Sequence, residues 1–219
     1  YLDACSGQKD SELLEYFENF SQSRKISPTV LAAALGASTT ETLLLNTDRI
    51  EQQFGSYGID ILASEAGLRR SSLYSIANGQ RVCRTYSIVR FTEDPDSRFG
   101  SEHTTVLAGN SLGQVFRAHG WSIHKQTLHI GSFNVDSANS EVSHLMLLTG
   151  AQTLALHVYQ LLLAKNTQAF EYATIIEAHH PDYLSKADLL DMYHYDDSES
   201  LSAESLLRLT ALVQSKNKG

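Results

Sequence analysis

The stretch Arg70 to Phe91, RSSLYSIANGQRVCRTYSIVRF, constrains the fold more than any other part of the chain. Two strand-like runs flank Asn78-Gly79, a dipeptide that accepts the positive φ at both central positions of a type I′ turn. The twist of that turn matches the twist of the strands it joins, so the stretch folds back on itself as an antiparallel hairpin. A second hairpin is read in TLALHVYQLLLA and AFEYATIIEA, joined at Lys165-Asn166-Thr167-Gln168. Two long hairpins in one chain call for an antiparallel sheet, with at least one face to be covered. GIDILA (Gly58 to Ala63) and SIHKQTLHIGSF supply further alternating strands.

Helical patterns surround these strands. Leu13, Leu14, Phe17 and Phe20 make a helical stripe over residues 11–22, and Ser27-Pro28 opens a second helix. A third runs from Thr42 to Phe54, with Asp48 and Glu51 at capping-box spacing. In GNSLGQVFRAHGW, Ser111 and Gln114 have the same spacing and Gly120 ends the helix. Glu141 to Leu148, Ser185 to Tyr193 and Ser202 to Gln214 read as helices, and residues 92–102 as a polar loop. The expected class is α+β: a single antiparallel sheet flanked by helices.

Composition excludes several functions. The chain has 219 residues, 42% of them hydrophobic, enough for a sizeable core. Lys and Arg number 17 against 25 Asp and Glu, a net charge of −8. That balance argues against a nucleic-acid partner and gives an anionic membrane surface nothing to hold. The most apolar run, Leu154 to Ala164, is too short to span a bilayer and holds His157, Tyr159 and Gln160. No signal peptide is read, so a soluble cytoplasmic protein is expected. Cys5 and Cys83 make neither a disulfide framework nor a thiolate zinc site, and Cys83 reads as a buried hydrophobe. The nine histidines show no ligand spacing, and adjacent His179 and His180 point to opposite faces of a strand. No metal and no cofactor are expected, and there is no phosphate loop, dinucleotide fingerprint or nucleophile elbow.

Glu177 stands out. Alternation in YATIIEAHHP puts Ala173, Ile175 and Glu177 on one face, and Tyr172, Thr174 and Ile176 on the other. A carboxylate ending an apolar row sits at a rim, pairs with an arginine, or lies in a closed cavity with a raised pKa, ready for acid/base work. Arg69, Arg70, Arg81 and Arg84 cluster on the first hairpin. They read as a solvated sheet edge, or as the source of one inward guanidinium that clamps a carboxylate. Gly109 to Gly113 opens a helix whose amides face outward, either as a plain capped turn or towards an anion.

Three stretches in order resemble the chorismate pyruvate-lyase family and, more distantly, the effector-binding domains of GntR-type regulators. They are TLLLNTDRIEQQFGSYGIDILASEAGL, VLAGNSLGQVFRAHGWSIHKQTLHIG and LAKNTQAFEYATIIEAHHP. The second is similar to the family's LG-x-x-PLG-x-x-LF helix start, with Ser111 in place of the proline; the third carries its glutamate four residues before a proline, here Glu177 and Pro181. The resemblance implies an antiparallel sheet with an internal ligand cavity under helical flaps. It implies elimination of pyruvate from chorismate to leave 4-hydroxybenzoate, without a cofactor. Glu177 maps onto the catalytic glutamate, and Leu112 and Gly113 onto the backbone that holds the product carboxylate. The family's substrate-binding arginine falls at Ser71, so Arg70 beside it is the candidate clamp, with Arg84 on the partner strand as a second binding residue.

The resembling domain covers 41–184, with helical extensions over 1–40 and 185–219. The alternative is a non-catalytic binder of aromatic or carboxylic acids on the same fold. A DNA-binding regulator is disfavoured by the acidic charge and the few residues before Thr42. The expected partner is a small carboxylic acid; oligomeric state is left open.

Overall fold

The computed structural model of the chain describes residues 44–65, 67–92, 96–135, 140–166 and 168–195. The helices read over 11–22, from Pro28 and over 202–214, and Cys5, lie outside the described residues. Strands β1 (Gly58–Glu65), β2 (Leu68–Ala77), β3 (Gln80–Phe91), β4 (Ser122–Val135), β5 (Gln152–Lys165) and β6 (Gln168–His179) form a single six-stranded sheet in the order β1-β2-β3-β6-β5-β4. Every neighbouring pair is antiparallel. The two hairpins of the sequence are therefore β2–β3 and β5–β6, and the β3–β6 pairing joins them at the middle of the sheet. Asn78 (φ 51°) and Gly79 (φ 77°) both adopt the left-handed conformation that the type I′ turn requires.

Around the sheet lie α1 (Asn46–Phe54), α2 (Asp96–Leu107), α3 (Leu112–Ala118), α4 (Glu141–Leu145) and α5 (Lys186–Tyr193). The protein is thus α+β with one antiparallel sheet. Four of these helices cover one face: Phe99, Val106 and Phe116 pack with Tyr159, Leu161 and Ile175, and Ile50, Leu184 and Leu189 pack with Leu73 and Ile130. α4 covers the other face, where Val142 and Met146 meet Tyr86, Ile88, Val158 and Ile176. Among the described residues no helix is long and apolar enough to cross a membrane.

Several local expectations are corrected. Residues 96–107, read mostly as polar loop, form α2, kinked at Gly100 (φ 43°). Its buried residues, Phe99, His103 and Val106, recur at helical spacing, but the acidic and hydroxyl residues between them dilute the pattern. Neither Ser111 nor Asp48 forms the expected capping box. Ser111 is the N-cap of α3 without a side-chain bond, and α1 is preceded by Leu45. Asp48 instead takes two hydrogen bonds from Arg117, at 2.6 and 3.0 Å, tying α1 to α3. The capping box that does form joins Ser185 and Asp188 at the start of α5.

Tyr172 also moves. Leu161 pairs with Ala173 and Leu162 with Glu171, so Tyr172 bulges from β6. Simple alternation puts it opposite Ile175; the bulge turns it into the same cluster. There its ring meets Phe116 at 4.6 Å and Phe99 at 4.9 Å, and its hydroxyl lies 2.8 Å from His103 Nδ1.

Candidate functional site

A cavity of about 70 Å³ lies between the helix-covered face of the sheet and the N-terminal ends of α1 and α3. That is several times the ~10–15 Å³ that one water needs. Leu73, Val89, Leu161 and Ile175 make apolar wall, while Asn46, Arg69, Lys125 and Glu177 bring polar groups into it. Leu112 and Gly113 line it from the first turn of α3. A Cβ on Gly113 would lie 2.8 Å from Leu45 Cδ2, so glycine allows the roof to close this tightly.

On β2 the alternation is regular through Arg69, Ser71 and Leu73, all of which line the cavity. Arg70 therefore faces the other way. Its Nη1 donates to the Tyr86 hydroxyl at 3.3 Å, and that hydroxyl donates to Glu141. The expected clamp at Arg70 is corrected, because no bulge on β2 between Leu68 and Leu73 reverses its face. Arg84 is also outside. It bulges from β3, since Leu73 pairs with Thr85 and Tyr74 with Cys83. Its Nε donates to Ser75 Oγ at 2.8 Å, and its guanidinium covers the Phe54 ring at 3.9 Å.

The arginine that does reach the cavity is Arg69, 1% exposed. Its Nη1 donates to the carbonyls of Val106 and Asn110, at 2.9 and 3.0 Å, and its Nε has no partner among the described residues. No ion pair joins it to a carboxylate among the described residues. Burial pulls its pKa down to about 10, which still leaves it charged at neutral pH.

Glu177 is buried on β6, between Ser87 of β3 and His157 of β5. Its Oε1 accepts from Asn46 Nδ2 at 3.0 Å, and Asn46 Oδ1 accepts from the Tyr183 hydroxyl at 2.7 Å. Its Oε2 lies 3.5 Å from Lys125 Nζ and 3.8 Å from His179 Nε2. Lys125 Nζ also sits over the Tyr159 ring at 4.3 Å. Burial pushes the Glu177 carboxyl up. The Lys125 ammonium, helped by His179, the Tyr159 hydroxyl and the Asn46 amide, outweighs burial and holds it below the ordinary value. Burial likewise works against the charge on Lys125, and the Glu177 carboxylate keeps it well above the usual lysine range. The pair is thus charged at neutral pH. The environment expected for a raised glutamate pKa is present, but its partner is a lysine and the shift is downward.

Two histidines complete the cluster. His157 pairs across the strands with Glu177, and His179 follows Glu177 by two residues on the same face. His157 Nε2 lies 3.0 Å from Thr127 Oγ1, and His179 Nδ1 lies 3.0 Å from Thr85 Oγ1. Burial is the main reason that both titrate low, His179 at about 4 and His157 well below its ordinary value. His180 points to the opposite face, with Nε2 3.2 Å from the Met146 carbonyl. The expectation of no metal-ligating set rested on linear spacing; the fold brings His157, Glu177 and His179 within reach of one another.

These histidines set an acid limit. A histidine whose folded pKa is depressed stabilises the protein above its unfolded value, near 6.5, and that contribution is lost as pH falls towards the folded value. For His179 the shift corresponds to about 3 kcal/mol. The urea midpoint is expected to drop between about pH 7 and about pH 4.5, and His179→Gln to flatten that slope. An equal midpoint at both pH values in the parent protein would show that these rings are not held neutral.

Lys125, Asn46, His157 and His179 were missed as site residues; Arg69 stood among the four arginines read as the source of an inward guanidinium, but Arg70 was the one chosen. Lys125 was open to detection, since Ile123, Lys125 and Thr127 share a face and the lysine interrupts it as Glu177 interrupts its own row. A scan against protein-family models finds no match to the chain, and neither does a search of curated proteins.

Proposed function

We propose that this chain is a chorismate-lyase-like protein that binds a small carboxylic acid in its cavity and eliminates pyruvate from chorismate or a related acid, leaving 4-hydroxybenzoate. The observation that carries this reading is Arg69. A buried guanidinium with an unpartnered Nε, in a cavity with apolar walls, holds a charge whose burial costs several kcal/mol. An anionic ligand offsets that cost, and a carboxylate fits the planar fork of the guanidinium.

The remaining groups suit the elimination. Loss of pyruvate from chorismate takes a ring proton and breaks the bond to the enolpyruvyl oxygen. Ionised Glu177 accepts that proton, and the new ring double bond completes the aromatic product. The Lys125 ammonium stands beside Glu177 to stabilise negative charge on the departing enolate, and both side chains are largely buried. The sheet of two hairpins, with the glutamate ending an apolar row over a cavity, supports the resemblance that the sequence motifs carry. The second reading, a non-catalytic binder of the same acids, is favoured by one observation: Glu177 already has Asn46 on one oxygen and Lys125 beside the other.

The test is incubation of the purified protein with chorismate, following pyruvate and 4-hydroxybenzoate, together with thermal unfolding in added 4-hydroxybenzoate. Turnover is expected, with Arg69→Met binding the acid on the order of 10²-fold more weakly, the loss of a charged hydrogen bond. No turnover, with a melting shift that Arg69→Met abolishes, assigns the binder. No turnover and no shift sinks both.

A further inference from the structure

We propose that His157, Glu177 and His179 bind one divalent transition-metal ion of the zinc class, through His157 Nδ1, His179 Nε2 and a Glu177 oxygen. Ligand atoms of these three residues lie within 4.8 Å of one another. Among the described residues, His157 Nδ1 and His179 Nε2 are buried without a hydrogen-bond partner, and Glu177 Oε2 has no hydrogen bond, only the Lys125 ammonium at 3.5 Å. A single unpaired buried polar atom costs about 1–3 kcal/mol, so native proteins hold few of them. Two such nitrogens grouped with a carboxylate are an arrangement that a cation resolves.

The outer contacts agree. Each ring has its other nitrogen beside a threonine hydroxyl, Thr127 for His157 and Thr85 for His179. Where that hydroxyl accepts the ring N–H, the lone pair of the unpartnered nitrogen faces the carboxylate, which is how ligating histidines are oriented. Two imidazoles and a carboxylate suit Zn²⁺, Co²⁺ or Fe²⁺ far better than Mg²⁺ or Ca²⁺. A tetrahedral ion with bonds of about 2.0–2.1 Å holds its ligand atoms roughly 3.3 Å apart. His179 Nε2 and Glu177 Oε2 are 3.8 Å apart and the whole set spans up to 4.8 Å, so binding draws the His157 ring and the carboxylate together by about 1 Å. Glu177 lines the cavity, so the fourth coordination position opens towards it.

Lys125 opposes the ion. Its ammonium lies 3.5 Å from Oε2 and shares that oxygen with any metal. This repulsion rejects weakly bound cations and leaves the site to metals with strong imidazole bonds. The inference stands on the ligand atoms and not on the lyase reading. Where that reading also holds, an ion on Oε2 takes the lone pair needed for the ring proton, so zinc suppresses turnover.

The test uses the full chain, stripped with a chelator and dialysed. Zn²⁺ is titrated against a competing chelator, and Co²⁺ binding is followed by visible absorption. One ion per chain is expected, with cobalt bands of a four-coordinate site. His157→Gln and His179→Gln should each weaken binding at least tenfold, while His119→Gln leaves it unchanged. Thr127→Val keeps all three ligands and frees only the His157 ring. It should weaken binding about tenfold even where a histidine variant fails to fold. No uptake above background, or uptake that neither Thr127→Val nor the histidine variants alter, overturns the site. Turnover by metal-free protein that takes up no zinc would sink the metal site and leave the lyase reading standing.

Discussion

Lys125→Met is expected to cost the protein about 3–5 kcal/mol at neutral pH, read as a fall in the urea midpoint at constant slope. Methionine fills nearly the same space, so packing changes little. What changes is that Glu177 keeps a buried charge with its ammonium gone. Burial, the largest influence on Glu177, then acts with less opposition, and its folded pKa rises above the unfolded value near 4.5. The sign of its pH dependence reverses with it. In the parent, a depressed carboxyl pKa stabilises above about pH 4.5, and that contribution is lost as pH falls through the folded value. In the variant, a raised pKa makes the protonated form the stable one, so stability is lost as pH climbs from about 4.5 through the folded value. The deficit relative to the parent should therefore shrink in acid. Lys125→Met combined with Glu177→Gln should recover most of the loss, since removing both charges leaves neither stranded. A double variant as unstable as the single one would show that Lys125 acts through packing alone.

Glu177→Gln is expected to lower the turnover of chorismate by about 10²–10⁴, the usual contribution of a positioned acid or base. The amide keeps the shape of the side chain and a carbonyl for Asn46, but accepts no proton. Arg69 stays in place, so KM should change little while kcat falls. A variant with unchanged kcat would remove Glu177 from the chemistry; one that raises KM alone would make it a binding residue. Loss of the carboxylate also leaves Lys125 unpaired, so kcat is to be compared at a temperature where both proteins are folded.

How much of this was legible in the sequence depends on where bulges fall. The sheet was legible because Asn78-Gly79 admits one tight turn and the flanking alternation leaves one register. Glu177 was legible for a related reason: nothing shifts β6 between Ala173 and His179, so its face follows by counting. Tyr172 and Arg84 were not, because each sits at a bulge and side-chain direction reverses there without a mark in composition. Arg70 failed by the opposite route. It was chosen because it adjoins Ser71, but without a bulge between Leu68 and Leu73 neighbouring residues face opposite ways, and Arg69, one residue earlier, occupies the cavity face. The cross-strand partner of Glu177 on β5 was illegible for the same cause. Carried unbulged from the turn, the Lys165–Gln168 pairing would place Leu156 opposite Glu177, whereas the bulge at Tyr172 brings His157 there. Tertiary neighbours such as Asn46, on a helix far from β6 in the chain, leave no periodic trace at all.

Asp48 and Arg117 join the two helices that roof the cavity. The floor is six strands cross-linked by backbone hydrogen bonds, whereas the two elements that roof it are clasped by an ion pair in partial contact with solvent. Such a clasp is worth about 0–1 kcal/mol and weakens with salt. The roof is therefore held in two ways that respond differently to salt: the surface pair between α1 and α3 weakens, while the Asn46–Glu177 hydrogen bond and the buried Ile50 and Phe116 keep each helix on the strands.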